Sequence, residues 1–540
     1  LRLSQEAARS LAMGVFDVIV IGAGHNGLIC ACYLARLGLK VGVLERRDIV
    51  GGAVCTEEVV PGFRFDVGSS VHIMFRSTPI MDELELAAYG LEYLELDPWA
   101  FYPVPGSDRA ISFYRDVERT CESIAQVSAK DAGAYREFVR TWGELNEGVW
   151  DVFLRAPTFG AMAGAIARRS LFRSRSRRVW GSMDITRALL GSYGKLIRNT
   201  FESEPVRTAL TWLAAQSGPA PDEVATGDFA GWQAMIHKHG AWRAKGGSGS
   251  LTQALAKALQ AQGGQIVLNA TVRRVTRSGG RWEVQSEAGD YSASAVVAAC
   301  HVVTALRDLL DPGLVGEKLR ARVKTIQIGN GFGMTVRHAV SDLPAYPGQP
   351  RDPRGVSPAH SAMQLLCPDR EYLQAAYRDY LAGRPPAEPA ILGMTFSAID
   401  PTLAPAGKHV LFAWAQYHPY ELNNGEDWDA IAEREADKIY EVICRYAPNM
   451  RGTLIDRLIQ TPLDLERRLG LLRANVMHVE MSLDQMFAFR PLPELSQYRT
   501  PIDGFYLTGA STHPGGGVFG ASGRNAAQVV AKRFGHRRLR

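Results

Sequence analysis

Cysteine is scarce in this chain: seven in 540 residues, an odd number with no Cys-x-x-Cys pair. That excludes a disulfide framework and a zinc-finger pattern, and it speaks against dithiol-disulfide chemistry, which needs two thiols within reach of a flavin. A reduced, cytoplasmic setting is the expectation. Long apolar runs are missing too. No stretch approaches the roughly 20 uncharged apolar residues of a membrane span, and the most apolar run, residues 293–306, is broken by His301. Charge of one sign is not in excess. Lys plus Arg total 61 against 56 Asp plus Glu, and a net +5 in a chain this long does not argue for nucleic acid. The opening LRLSQEAARSLAMG has neither a long apolar core nor a cleavage pattern, so it is not read as a secretory signal. Residues 1–12 read instead as a disordered extension ahead of Met13. No metal-ligand spacing and no internal repeat stands out.

What is present is ordinary globular material, 46% hydrophobic and 22% charged, in a chain long enough for two to four domains or two that interrupt each other. The informative stretch is VIVIGAGHNGLICACYLARLGLKVGVLERRDIVGGAV, residues 18–54. Residues 16–21 are a short run that is apolar except for Asp17 and unbroken from Val18 to Ile21, the mark of a strand buried on both faces of a parallel sheet. Glycines turn it into a helix that Gly38 ends, and residues 39–44 form the next strand. Gly22, Gly24 and Gly27 make a GxGxxG: the first permits the tight turn, the second lets backbone approach a pyrophosphate, the third allows helix to pack on strand. The helix start offers free N–H groups to phosphate. Glu45 ends the second strand 18 residues after Gly27, where a carboxylate hydrogen-bonds ribose hydroxyls and repels a 2'-phosphate. An unphosphorylated ribose follows, as in FAD or NAD.

From about residue 94 to 231 the pattern is mainly helical, and it reads as an insertion. QIVLNATVRRV, RWEVQSE and YSASAVVAA then follow as three strands. A second mixed insertion spans about residues 308–485, and the chain closes with strand, glycine turn and helix in GFYLTGASTHPGGGVFGASGRNAAQVVAKRF. The expected fold is α/β, a Rossmann-like nucleotide domain assembled from residues 13–95, 235–307 and 490–540. An interleaved α+β substrate domain takes residues 96–234 and 308–489.

After Glu45 come Gly51 and Gly52 in ERRDIVGGAV, and near the C-terminus YLTGASTHPGGGVFGASGRNAA. An acid followed by a GG pair at this spacing, with such a closing segment, resembles the amine oxidase and phytoene desaturase superfamily of flavoproteins. The resemblance covers nearly the whole chain from Phe16. It implies FAD rather than NAD, held by Gly22, Ala23, Gly24, Asn26, Gly27, Glu45, Arg46, Gly52, Ala53 and Val54, with Val272 at the adenine and Gly509, Ala510, Gly517 and Val518 at the flavin. GGAVCTEEVVPGFRFDVGSSVH, KGGSGSLTQAL and NVMHVEMSLDQMFAFRP look like the carotene-ketolase branch of the phytoene desaturase-like proteins. The reaction implied is oxidation of a β-ionone ring at carbon 4, β-carotene to echinenone and canthaxanthin. Carotene desaturation or isomerisation on the same fold is the alternative. An alternative of another class is a non-catalytic lipid-binding escort protein, against which the intact glycine turn and Glu45 count.

The resemblance leaves catalysis unassigned. His513, in THPGGG, and His72, in GSSVHIMF, are candidates by their position near the flavin in relatives, against the favoured reading of His513 as a structural loop histidine and His72 as a satisfied core histidine. The expected ligand is a hydrophobic, carotenoid-like molecule. An apolar run followed by six arginines between Arg168 and Arg178 reads either as peripheral attachment to anionic lipid on the inner face of the plasma membrane or as a solvated charged face.

Overall fold

The computed structural model describes residues 14–158, 160, 164 and 182–539. The expected extension at residues 1–12 and the arginine segment at residues 168–178 lie outside the described residues. No helix among the described residues is long and apolar enough to cross a membrane.

Two seven-stranded sheets carry the fold. The first opens with β1 (Gly14–Ile21), α1 (His25–Arg36) and β2 (Val41–Leu44). It resumes with α2 (Gly249–Ala261), β3 (Gln265–Val267), β4 (Val272–Ser278), β5 (Arg281–Ser286) and β6 (Gly289–Ala298). It closes with β7 (Phe505–Leu507) and α3 (Ala521–Ala531). β1 is central, parallel to β2 on one side and to β6 on the other. β3 extends the β2 edge in parallel, and β7 runs parallel beside the C-terminal half of β6. β4, β5 and β6 form an antiparallel meander. The unbroken apolar run in β1 is explained by this position: Val18 and Val20 pack under the helices, Ile19 and Ile21 against Val275, Val296 and Val302 on the other face.

Two expectations are corrected here. QIVLNATVRRV is not one strand: β3 and β4 lie at opposite edges of the sheet. Asn269 takes a left-handed φ of 52° between them, a conformation Asn tolerates better than most residues. The turn is then tied to the second strand's end, with Asn269 N–H donating to the Arg47 carbonyl and Ala270 N–H to the Glu45 carbonyl. The supposed helical insertion also begins with strands, Tyr93–Leu96, Ala100–Pro103 and Ala110–Phe113, before helices such as Ala129–Phe153. Their short length hid the alternation that marks a strand.

The second sheet orders its strands Leu454–Gln460, Gly333–Val340, His409–Gln416, Ile391–Met394, Met363–Leu366, Ala100–Pro103 and Ala110–Phe113. Its faces part cleanly by the period of two. Met334, Val336, Ala413 and Ala415 pack under the helix Trp428–Tyr446. Thr335, Phe412 and Trp414 point the other way, toward the first sheet's cavity. Arg337 fastens the second sheet to the segment that follows the GG pair: wholly buried, it stacks on Phe412 of its own sheet and donates to the carbonyls of Asp66 and Gly68.

Candidate functional site

The glycine turn after β1 is built from contacts only glycine allows. Gly22 sits at φ +102° and donates its N–H to the Leu44 carbonyl. A Cβ on Gly27 would fall 2.3 Å from the Gly22 carbonyl oxygen and 2.9 Å from the Ala299 Cβ, so helix and strand touch through bare backbone. Gly24 differs. A Cβ there would meet nothing within 4 Å; it would project into open space. α1 begins beside that space with no side-chain cap and no acidic residue in its first turn, leaving N–H groups for a phosphate.

The acid-GG segment closes on this turn. Glu45 is 5% exposed; one carboxylate oxygen accepts the Ala23 N–H at 2.8 Å and the other the Arg47 N–H at 3.0 Å. These bonds fix the carboxylate and leave it facing the cavity with lone pairs to spare. Gly51 N–H donates to the Ala23 carbonyl at 2.8 Å, and Gly24 and Gly51 form a β-bridge. The backbones of turn and GG pair are therefore in direct contact.

The C-terminal segment supplies the opposite wall. Gly523 N–H donates to Asn26 Oδ1 at 3.1 Å, binding α3 to α1. Ser522 Oγ holds the Gly509 N–H at 2.9 Å and meets Thr508 and Thr512 hydroxyls. Arg490 secures this wall from behind. Wholly buried, it donates to five carbonyls, those of Met477, Val479, Glu480, Gln485 and Ala510. Arg490→Met would leave these acceptors without their donor, and a buried acceptor left unpaired costs about 1–3 kcal/mol. Urea unfolding is expected to show a loss of at least about 3 kcal/mol, with Arg490→Lys little better because one ammonium has only three donors. A loss below about 1 kcal/mol in both variants would contradict this role.

These walls enclose a cavity of about 790 Å³, within the range of a ligand pocket. It is lined by Gly22, Gly24, Asn26, Gly27, Glu45, Arg46, Gly52, Ala53, Val54, Val272, Gly509, Ala510, Gly517 and Val518. Of the residues named from sequence for the cofactor, Ala23 alone stands behind the surface, reaching the site through its N–H bond to Glu45. Arg46 lines the cavity, but its guanidinium donates to the Arg468 and Arg467 carbonyls and so ties down the wall at residues 467–472.

The two histidine candidates do not line it. His513 is buried edge-on to Phe153 and its Nε2 bonds the Val152 carbonyl. His72 sits between the Tyr93 hydroxyl and Ser248 Oγ. The histidines that do line the cavity are His25, His301 and His478. His301 stacks on His478, donates from Nε2 to its carbonyl at 2.8 Å, and accepts Val303 N–H. Burial pushes His25 and His301 down to about 4 and His478 well below its usual range, so all three are neutral at pH 7. Cys300 beside them is held as a thiol, raised to about 12 by burial. His25 stood inside the quoted GAGHNG and could have been named; His301 and His478 carry no local signal.

The space beside Gly24, the free helix start and the buried Glu45 carboxylate match the pyrophosphate and ribose of FAD, and the residues present fit that group. The far floor of the cavity is mainly apolar, made by Phe332, Leu392, Met394, Phe412 and Trp414, with the polar side chains of Gln216 and Thr335 among them.

Comparison with known proteins agrees with this geometry. Residues 27–337 match the family described as flavin containing amine oxidoreductase. A rat protein, "Pyridine nucleotide-disulfide oxidoreductase domain-containing protein 2", is 35% identical over 97% of this chain and 95% of its own. The disulfide in that name has no counterpart here: all seven cysteines are free. "Phytoene desaturase (lycopene-forming)" of Pantoea ananas is 27% identical over 93% of this chain and 96% of its own. Among solved structures, a putrescine oxidase variant superposes with TM-score 0.60 at 15% identity, covering 96% of this chain and all of its own. The protein is an FAD-dependent oxidoreductase with a Rossmann-like fold, and the chain belongs to the flavin-containing amine oxidoreductase family.

Proposed function

We propose that the protein oxidises the end of a long apolar polyene, at the allylic carbon 4 of a carotenoid ring. The observation that carries this reading is the cavity floor: beyond the glycine turn the wall is Phe332, Leu392, Met394 and Phe412, a surface for hydrocarbon. Bound FAD supplies a two-electron sink for hydride from an allylic C–H. The chain's own share is positioning and exclusion of water. Gly24 and α1 would hold the phosphates and Glu45 the ribose, while the second sheet would offer its apolar side chains to the substrate ring. His25, His301 and His478 stay uncharged, so none of these three rings adds a cation to the site.

Converting a ring CH2 to C=O with oxygen from water removes two hydrides and two protons, one hydride to the flavin in each of two rounds with reoxidation by an external acceptor between them; with dioxygen as the source, the dioxygen takes all four electrons and leaves as one water. Desaturation removes one hydride and one proton and adds nothing, and the likeness to the Pantoea ananas protein favours it as the second reading. Expression in a β-carotene-producing bacterium, with and without air, separates them by mass analysis of the pigment. A gain of oxygen with loss of two hydrogens is expected; loss of hydrogen alone supports desaturation. Unchanged pigment in both cultures would rule out this carotenoid as substrate.

A further inference from the structure

Two polar atoms in the cavity floor have no partner. Thr335 and Trp414 stand directly opposite each other on strands Gly333–Val340 and His409–Gln416, and both line the cavity. Thr335 is 2% exposed and Trp414 8%; Thr335 Oγ1 and Trp414 Nε1 are both buried without a hydrogen bond. The next residue in the same cross-sheet row is Gln460, 1% exposed, with both amide atoms unpaired. On the other side of Trp414 the row continues with Leu392. The indole is not free to turn away. Phe332 lies 5.5 Å from it, ring to ring, and a Cβ on Gly333 would fall 2.6 Å from its ring edge, so glycine makes its seat.

Buried donors without partners are rare in native proteins and mark a ligand or a water. A floor meant for hydrocarbon alone would place valine and phenylalanine here. An indole N–H can only donate, whereas a hydroxyl donates or accepts, so the pair suits one oxygen carrying two lone pairs. We propose that Thr335 and Trp414 bind an alcohol or carbonyl oxygen on the docked end of the substrate, making this a site for an already oxygenated apolar molecule. The proposal rests on the reading that the cavity receives the substrate's reacting end, and it adds to it: in ring ketolation the form bound by this pair is the hydroxylated ring, held for its second oxidation. A flavin carbonyl has the same acceptor chemistry, and the experiment separates the two.

The test measures anaerobic binding to the FAD-loaded protein of 4-hydroxy-β-carotene and β-carotene, which differ by a hydroxyl against a hydrogen on the docked ring, through their perturbation of the flavin spectrum. The wild type is expected to bind the hydroxylated carotenoid about tenfold tighter or more, the penalty of leaving a buried donor unpaired. Thr335→Val and Trp414→Phe should each bring the two affinities within about threefold, Thr335→Ser should restore the preference, and FAD affinity should not change. Equal binding by the wild type, or no binding of the hydroxylated carotenoid, overturns the proposal. So does a fall in FAD affinity with the preference intact, which gives the pair to the flavin. Should Trp414→Phe fail to fold, the valine and serine variants decide. No turnover is needed, so failure of the carotenoid reading in the pigment assay is seen separately.

Discussion

Gly24→Val is expected to yield a folded protein that purifies without flavin colour. Backbone is no obstacle, since Gly24 has φ −65° and ψ 162°, an extended conformation that valine adopts readily. Sterics within the chain are no obstacle either, because the added Cβ meets nothing within 4 Å. The isopropyl group would occupy the space where a pyrophosphate approaches the N–H groups of α1. Hydrogen bonds to a charged group are worth about 1.5–3 kcal/mol each, so loss of two lowers FAD affinity by at least about a hundredfold. Gly27→Val provides the contrast. Its Cβ would lie 2.3 Å from the Gly22 oxygen, and that variant should lose the fold along with the cofactor. The measurement is flavin absorbance per protein together with the far-ultraviolet spectrum. A yellow, stoichiometric Gly24→Val protein would falsify the assignment of this turn to FAD.

The second large effect is acid lability. Burial holds His25, His301, His360 and His513 down to about 4, and His72, His338 and His418 to about 3. His478 is lowered as well. Each stays neutral in the fold yet binds a proton near pH 6.5 once unfolded. The unfolded chain therefore holds more protons below that pH, and stability present above 6.5 is lost as pH falls toward the folded values. Each such group contributes about 1.4 kcal/mol per pH unit, against a total stability of about 5–15 kcal/mol. Eight acting together should unfold the protein above about pH 4.5, with uptake of about one proton for each. Potentiometry alongside circular dichroism reads both quantities. A native spectrum that persists at pH 4 would show that these rings are hydrated or charged in the fold.

Where the sequence was readable, the constraint was local. Gly22, Gly27 and Gly51 lie where backbone meets backbone, and no other residue fits, so their spacing alone announces the turn. Glu45 was readable because a strand of fixed length delivers it to the turn. Thr335 and Trp414 were not, because each owes its place to the other across a strand pair, and alternation along one strand does not say what its far face meets. His301 and His478 come together from distant segments for the same reason. The Asn269 turn was missed because one left-handed residue is enough to divide a run of apolar and β-branched residues into two strands. His513 and His72 were drawn toward the cofactor by resemblance, whereas their rings are turned to Val152, Tyr93 and Ser248.

The central strand β1 pairs with β6, whose first residue is Gly289, and Gly509 and Ala510 follow much later. On the ribosome, Glu45 and the glycine turn therefore emerge long before either partner wall exists. Such long-range pairing folds slowly and leaves apolar edges open meanwhile. The nascent chain cannot complete one domain before starting the next. Flavin capture is therefore expected to follow synthesis of residues 509–518, which supply the second wall of the cavity.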